Sequence, residues 1–264
     1  FCLSLEKNLV SRRLYEHQLK CAYHLAFSQN GCNFSVPGSG KTSIVYGAYA
    51  YLSNTQDESK KLNKMLIIGP YSSFDPWEEE YKECFGVKPK IFRLSDEKSR
   101  KKKKSILKGR EGDYDIIIMT YNSVPNLIDE LKIFLKSNNV MFVCDEAHKI
   151  KNAEGIWANS VLKIASLAKS RVILTGTPCP NGYEDLYNLF KFLYPDKNII
   201  QYNYSHLKSM TEKVIASDID LLKSNIKPFF VRINKEDLNL PEITDHGLLA
   251  SEMSDLESLI YEKI

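Results

Sequence analysis

The chain alternates between short apolar runs and longer segments in which apolar residues recur at helical spacing. The apolar runs lie at residues 32–36, 64–69, 90–94, 114–120, 140–144 and 171–174. Runs of this length are typical of strands that are buried on both faces, as in a parallel sheet. One more short extended piece is predicted at residues 228–232.

Segments with helical spacing separate these runs. They are residues 12–28, 43–52, 75–85, 97–109, 124–135, 153–168 and 183–193. Strands that alternate with helices indicate an α/β fold with a mostly parallel central sheet and helices on both faces. Residues 54–63 are polar and predict a loop, and the pattern after Pro195 becomes irregular and mostly helical.

Composition excludes several protein classes. An apolar content of 43% and a charged content of 26% are those of an ordinary globular protein. No apolar run approaches the roughly 20 residues that a membrane helix needs, so no membrane partner is expected. The six cysteines have no paired spacing, which argues against a disulfide framework or a zinc site. This favours a reducing cytoplasm, or the nucleus if the organism is eukaryotic.

Residues 35–42 read S-V-P-G-S-G-K-T between a predicted strand and a predicted helix. Glycines allow backbone N–H groups to face phosphate oxygens, and the helix N-terminus favours an anion. The predicted phosphate-contacting residues are Pro37, Gly38, Ser39, Gly40, Lys41 and Thr42. The strict phosphate-loop pattern has glycine where Ser35 stands, so a simple glycine-rich turn is the alternative.

The apolar run at 140–144 ends in two adjacent acids, Asp145 and Glu146. Acids at a strand end suit a metal site, although they also suit the N-terminus of a helix. Together with the phosphate loop they predict an ATPase core. Asp145 would hold Mg²⁺ through water opposite Thr42, and Glu146 would orient and deprotonate the attacking water. His148 would couple this site to the T-G-T loop at 175–177 or cap the turn.

Six stretches, in order, resemble those of superfamily-two helicase-like ATPases, and within them the SWI/SNF-type branch of chromatin remodellers and DNA translocases. They read L-Y-E-H-Q at 14–18, S-V-P-G-S-G-K-T at 35–42, L-I-I-G-P-Y-S-S-F-D-P-W-E-E-E at 66–80, D-I-I-I-M-T-Y at 115–121, D-E-A-H-K-I-K-N at 145–152 and L-T-G-T-P-C-P-N at 174–181. Residues 227–242 are similar to the segment that leaves the first lobe of that family, with Arg232 where two adjacent arginines are usual.

The resemblance implies the first RecA-like lobe, a three-layer α/β/α P-loop NTPase fold. Residues 1–195 would form the ATP-binding lobe, 196–232 a short helical protrusion, and 233–264 a linker toward a second lobe. That second lobe, which supplies an arginine finger, is missing from this sequence. We therefore expect the chain to be a piece of a longer protein that binds ATP but turns it over slowly on its own.

The same resemblance implies ATP and Mg²⁺ as cofactors and double-stranded DNA as a partner. Gln18 would sense adenine. The residues expected to follow the DNA phosphate backbone are Pro70, Tyr71, Ser72, Thr120 and Tyr121. The function predicted is that of a DNA-dependent ATPase that translocates on duplex DNA. The alternatives are a strand-separating DEAH-type helicase, a restriction or phage-defence motor subunit, and a nucleotide-binding module that does not hydrolyse ATP.

Other conspicuous residues have simpler explanations. The five cations at 100–104 attract DNA electrostatically or form a solvated helix face, and the second is favoured. Tyr15, Tyr23 and Phe27 have near-helical spacing and are predicted to lie in the core. Trp77 is predicted to pack beneath the loop at 70–72.

Overall fold

The computed structural model describes residues 1–9, 11–213, 216–238 and 254. The strands in these ranges are β1 (Asn30–Asn33), β2 (Lys64–Gly69), β3 (Ile91–Arg93), β4 (Ile116–Thr120), β5 (Val140–Asp145), β6 (Ser170–Leu174) and β7 (Phe230–Val231). They form one parallel sheet in the order β3-β4-β2-β5-β6-β1-β7. The predicted α/β fold is confirmed.

Helices cover both faces of this sheet. Within the described ranges the α-helices are α1 (Cys2–Asn8), α2 (Glu16–Ser28), α3 (Lys41–Ser53), α4 (Phe74–Phe85), α5 (Arg100–Leu107), α6 (Ile128–Ser137), α7 (Ile156–Ala165), α8 (Leu186–Leu193), α9 (Tyr204–Glu212) and α10 (Ala216–Ile226). None of the described helices is long and apolar enough to cross a membrane.

The sheet separates two hydrophobic cores, because side chains alternate between its faces. In β5, Phe142 and Cys144 belong to one core, whereas Met141 and Val143 belong to the other. Helices α1 to α4 pack on the second core, and α5 to α10 pack on the first. Because both faces are covered, strands β2, β4 and β5 are apolar over most of their length.

Two predicted element boundaries shift for identifiable reasons. Helix α2 begins at Glu16 rather than at residue 12, because Tyr15 is extended and its N–H donates to Gln18 Oε1 at 3.0 Å. Strand β1 ends at Asn33 rather than at residue 36. There the Ser35 N–H donates to Asn33 Oδ1 at 3.1 Å, and an asparagine that accepts a bond two residues on turns the chain.

The prediction that Tyr15, Tyr23 and Phe27 lie in the core is wrong. Their side chains are 67%, 49% and 45% exposed. Helix α2 instead buries a stripe of smaller residues, which includes Cys21 and Leu25. Tyr23 and Phe27 form an outer cluster with Phe1 and Tyr51, in which the Tyr23 and Phe27 rings stack at a centroid distance of 4.3 Å.

The cations at 100–104 form the start of α5, where Arg100 and Lys101 are exposed. Lys102 pairs with Glu97 at 3.0 Å, and Lys104 pairs with Glu130 at 2.6 Å. This agrees with the favoured prediction of a solvated helix face. The predicted linker at 233–264 lies mostly outside the described residues.

Candidate active site

The predicted phosphate loop connects the carboxyl end of β1 to the first residue of α3. Gly38 and Gly40 have φ angles of +81° and +76°, which are readily adopted by glycine alone. A Cβ atom on Gly40 would also collide with the side-chain amide of Gln18. The first N–H groups of α3, at Lys41 and Thr42, have no partners within the helix and face the loop. This is the backbone geometry that phosphate groups require.

Lys41 folds back over the loop that precedes it. Its Nζ donates to the carbonyl oxygens of Ser35 and Val36 at 3.1 and 3.4 Å. Burial lowers the pKa of Lys41, and the carboxylates of Glu146 and Asp145 oppose that effect. Nothing in the described part of the chain bonds to the buried hydroxyl of Ser39. An unpaired hydroxyl in this loop leaves a hydrogen-bond donor for a ligand oxygen.

Gln18 connects α2 to the phosphate loop. Its Nε2 donates to the Ser39 carbonyl at 3.2 Å. A cleft of about 910 Å³ borders this contact. Its lining includes Tyr15, His17, Gln18, Gly38, Arg232 and Asp237. The Tyr15 and His17 rings are stacked at a centroid distance of 5.7 Å. The cleft therefore offers aromatic faces and an amide next to the phosphate loop, as a nucleotide base needs.

Asp145 closes β5 with both carboxylate oxygens engaged. Trp77 Nε1 donates to Oδ2 at 3.0 Å, and the Glu146 N–H donates to Oδ1 at 3.0 Å. Burial raises the pKa of Asp145, and the charge of Glu146 raises it further, whereas the hydrogen bond from Trp77 lowers it. Close packing is possible because β2 ends in Gly69, where a Cβ atom would lie 3.1 Å from Asp145 Cβ.

Glu146 has a left-handed backbone, with φ +49° and ψ +51°. This conformation is uncommon for residues with a side chain and occurs often at functional sites. His148 Nδ1 lies 3.2 Å from Glu146 Oε2, but the angles are not those of a hydrogen bond. The structure thus places His148 beside the predicted base.

The T-G-T loop after β6 lies against the phosphate loop. A Cβ atom on Gly176 would lie 3.2 Å from Pro37 Cδ, so glycine permits the close approach. The Thr177 N–H donates to Thr175 Oγ1 at 3.2 Å and holds the turn. Loops from β1, β5 and β6, which are neighbours in the sheet, therefore converge at its carboxyl edge.

Thr42 and Asp145 are the residues that would hold Mg²⁺. A hydroxyl and a carboxylate are oxygen donors, which Mg²⁺ prefers. No group of three or more metal-binding side chains occurs among the described residues. Mg²⁺ that arrives with nucleotide phosphates needs only one or two protein ligands. The donor set fits that arrangement.

The residues predicted to contact DNA lie on two loops that follow β2 and β4. Pro70, Tyr71 and Ser72 lie at or near the surface, and the Tyr71 side chain is 59% exposed. Thr120 is partly exposed, and its hydroxyl lies 3.1 Å from Ser123 Oγ. These four residues stay candidates for phosphate contact.

Tyr121 differs from the other four. Its side chain is 3% exposed, and its hydroxyl donates to the Asp145 carbonyl at 2.8 Å. The ring fills the core beneath the end of β5 and does not face solvent, so only the backbone of Tyr121 is left to face a phosphate. That Tyr121 lies along the DNA backbone stays a prediction.

Three structural contacts escaped the sequence reasoning. Trp77 is buried as predicted, but its bond to Asp145 spans 68 residues of sequence. The Ser35 hydroxyl accepts a hydrogen bond from the Ile233 N–H at 2.9 Å, a contact that glycine at this position could not make. Asn188 donates to the carbonyl of Ile150 at 2.8 Å and so holds the turn after the acids. No local pattern of the sequence signals any of these three contacts.

Comparison with known proteins identifies the family. The sequence profile of the SNF2-related domain matches residues 17–264. The chain belongs to the SNF2-related domain family. This domain is 27% identical over 248 residues to the ATP-dependent helicase FUN30 of Saccharomyces cerevisiae, covering 86% of this chain and 21% of the yeast protein.

A human relative is the SWI/SNF-related matrix-associated actin-dependent regulator of chromatin subfamily A containing DEAD/H box 1. It is 30% identical over 246 residues, which cover 88% of this SNF2-related domain and 23% of the human protein. A similar solved structure is the Sulfolobus solfataricus SWI2/SNF2 ATPase core in complex with dsDNA, with a TM-score of 0.69 and 26% identity. The match covers 89% of this chain and 47% of that core.

Proposed function

We propose that this SNF2-related domain is the ATP-binding lobe of a DNA-dependent ATPase that translocates on double-stranded DNA. The observation that carries the proposal is the convergence of three loops at one sheet edge. The phosphate loop, the Asp145–Glu146 pair and the T-G-T loop meet there, and the loops after β2 and β4 lie along the same edge. The solved SWI2/SNF2 core with dsDNA supports the assignment of duplex DNA as the partner.

Each residue has a distinct role in the proposed reaction. Backbone N–H groups of the phosphate loop and Lys41 bind and orient the phosphates. Glu146 accepts the proton of the attacking water as it approaches the terminal phosphate. Thr42 and Asp145 would hold Mg²⁺, which would supply positive charge to offset the negative charge that develops on the phosphate oxygens. Lys41, Asp145 and Glu146 together argue against a module that only binds nucleotide.

The rest of a two-lobed core would complete the site. A chain that spans 47% of the solved ATPase core supplies the nucleotide-binding half of it. An arginine finger accelerates related phosphoryl transfers by about 10³–10⁵-fold. We therefore expect the 264-residue chain alone to bind ATP and to hydrolyse it slowly.

The test is Glu146→Gln in the full-length protein. ATP affinity should be retained, and the DNA-stimulated hydrolysis rate should fall about 10²–10⁴-fold, because the amide cannot accept the proton. Glu154→Gln, an exposed glutamate that follows the same turn, is the matched control and should hydrolyse ATP normally. Undiminished hydrolysis by Glu146→Gln would exclude Glu146 as the base.

A second measurement concerns DNA. Duplex DNA should stimulate ATP hydrolysis by the unaltered protein. The protein should also displace the third strand of a DNA triplex without separating the two strands of the duplex. Strand displacement without triplex displacement would instead favour a strand-separating helicase.

A further inference from the structure

Tyr121 lies between the surface loop after β4 and the two acids. It is the first residue of a single 3₁₀ turn, Tyr121–Ser123, and its ring is buried. On the surface side of this turn three hydroxyls contact each other. Ser95 Oγ lies 3.3 Å from Thr120 Oγ1 and 3.0 Å from Ser123 Oγ. Ser123 lies in the same turn as Tyr121, and the other two hydroxyls contact it, so this turn connects the hydroxyl cluster to the buried ring.

The Tyr121 hydroxyl holds one particular peptide group. Its bond to the Asp145 carbonyl, at 2.8 Å, fixes the peptide that joins Asp145 to Glu146. The orientation of this peptide determines the φ angle of Glu146, which is +49°. A left-handed backbone at a glutamate persists only where surrounding contacts hold it. Tyr121 provides such a contact.

We propose that Tyr121 is a positioning residue that couples the surface loop after β4 to the catalytic pair. Contact of a phosphate group with the hydroxyl cluster of Ser95, Thr120 and Ser123 shifts the turn. The shift moves the Asp145–Glu146 peptide and aligns Glu146 with the attacking water. Short hydroxyls suit phosphate contact of this kind, which depends on position and not on base sequence. The inference rests on the proposed DNA-dependent ATPase function.

Tyr121→Phe tests this coupling in the full-length protein, because it removes one oxygen and keeps the ring. At saturating duplex DNA, kcat should fall about tenfold, the effect of losing one hydrogen bond made in the active arrangement. The affinities for ATP and for DNA should stay within about twofold of the unaltered protein, because no binding group is lost.

Tyr194→Phe is the matched control. The Tyr194 hydroxyl also donates to a strand carbonyl, Asn30 O at 2.9 Å, but at the start of β1, the end opposite the phosphate loop. Loss of the Tyr194 hydroxyl should leave kcat unchanged, although each of the two variants loses the stabilisation from one hydrogen bond. If Tyr121→Phe does not fold, Ser95→Ala removes part of the hydroxyl cluster and should lower the DNA-stimulated kcat with unchanged ATP affinity.

The possible outcomes are distinguishable. Weaker DNA binding by Tyr121→Phe with a normal kcat at saturation would mean that Tyr121 contacts DNA directly, and it would overturn the inference. Equal losses of kcat in Tyr121→Phe and Tyr194→Phe would indicate a structural role only. DNA stimulation that is identical in Tyr121→Phe and the unaltered protein refutes the inference and leaves the proposed function intact. Absence of DNA stimulation in the unaltered protein refutes both.

Discussion

The loops after β2 and β4 have nearly the same backbone, but the first exposes its tyrosine to solvent and the second buries it. Each begins with an extended residue, Pro70 at φ −66° and ψ 152° or Thr120 at φ −84° and ψ 157°, and continues as a single 3₁₀ turn. Yet Tyr71 is 59% exposed and Tyr121 is 3% exposed. One loop presents its tyrosine to solvent, and the other buries it, with its hydroxyl bonded to the Asp145 carbonyl.

Sheet register accounts for the difference. Gly69 of β2 pairs with Thr120 of β4, so the turn after β2 starts one residue later relative to the sheet. A shift of one residue at a strand end changes the side on which the next side chains lie. Both loops nevertheless reach Asp145. The first leads into α4, whose Trp77 donates to the Asp145 carboxylate, and the second reaches the Asp145 carbonyl through Tyr121.

The largest expected effect is a difference in stability between variants of the two tyrosines. Tyr121→Ala leaves a cavity in the core and should lower the free energy of unfolding by about 3–5 kcal/mol. Tyr71→Ala changes a surface position and should stay within about 0.5 kcal/mol. Urea unfolding of both variants measures this directly, and similar losses would contradict the contrast between the loops.

An intermediate effect is expected when the hydrogen bond from Trp77 to the Asp145 carboxylate is removed. Trp77→Phe keeps a buried ring but removes the N–H bonded to Asp145 Oδ2. The Mg²⁺ concentration that gives half-maximal ATP binding should rise about tenfold, because groups that orient a ligand contribute to metal affinity. ATP titrations over a series of Mg²⁺ concentrations provide the measurement.

Trp157→Phe is the control for this prediction. Trp157 is 38% exposed, and its ring centroid lies 6.3 Å from that of Tyr121, so it neighbours the second loop without a bond to Asp145. A comparable Mg²⁺ shift in Trp157→Phe would show that the effect does not depend on the hydrogen bond to Asp145.

The smallest effect concerns the pH dependence of stability. The pKa of Asp145 is raised by burial and by Glu146, so the folded state binds the carboxyl proton more tightly than the unfolded state does. The ionised group therefore costs stability, and this cost develops as the pH rises from the unfolded pKa to the folded one. Asp145→Asn should raise Tm at neutral pH, by about 2–4 °C for each 1 kcal/mol regained.

This gain should disappear as the pH falls below the usual range of aspartate pKa values, where both chains are uncharged at this position. Asp129→Asn changes an exposed aspartate and should show no such gain. A Tm difference between Asp145→Asn and the unaltered protein that stays constant down to that range would refute the explanation.

The sequence predicted the sheet and the strand–loop–helix course of the glycine-rich segment at 35–42 well, because their signals are local. The apolar run at 64–69 coincides with β2, and the glycines and Lys41 stand where the phosphate loop needs them. The position of the acids at a strand end was also predictable from the run before them. These features depend on neighbouring residues in the chain.

Features that depend on tertiary packing were not predictable in this way. Helical spacing cannot tell which side of α2 faces the core, so Tyr23 and Phe27 were misassigned. The inward position of Tyr121 depends on the register between two strands that one sequence does not reveal. The Trp77 bond to Asp145 joins elements far apart in the chain, and no local pattern encodes it.

Strand β7 attaches the chain that follows it to β1 and to the loop at 35–42. The Phe34 and Val36 N–H groups donate to the carbonyls of Val231 and Ile233 at 2.8 and 3.1 Å, and the Ile233 N–H returns a bond to the Ser35 hydroxyl. Because β7 runs parallel to β1, tension applied beyond Ile233 loads these bonds together in shear. Force along the chain after Ile233 is therefore shared among these bonds, and the bond to the Ser35 hydroxyl carries part of it directly to the loop at 35–42.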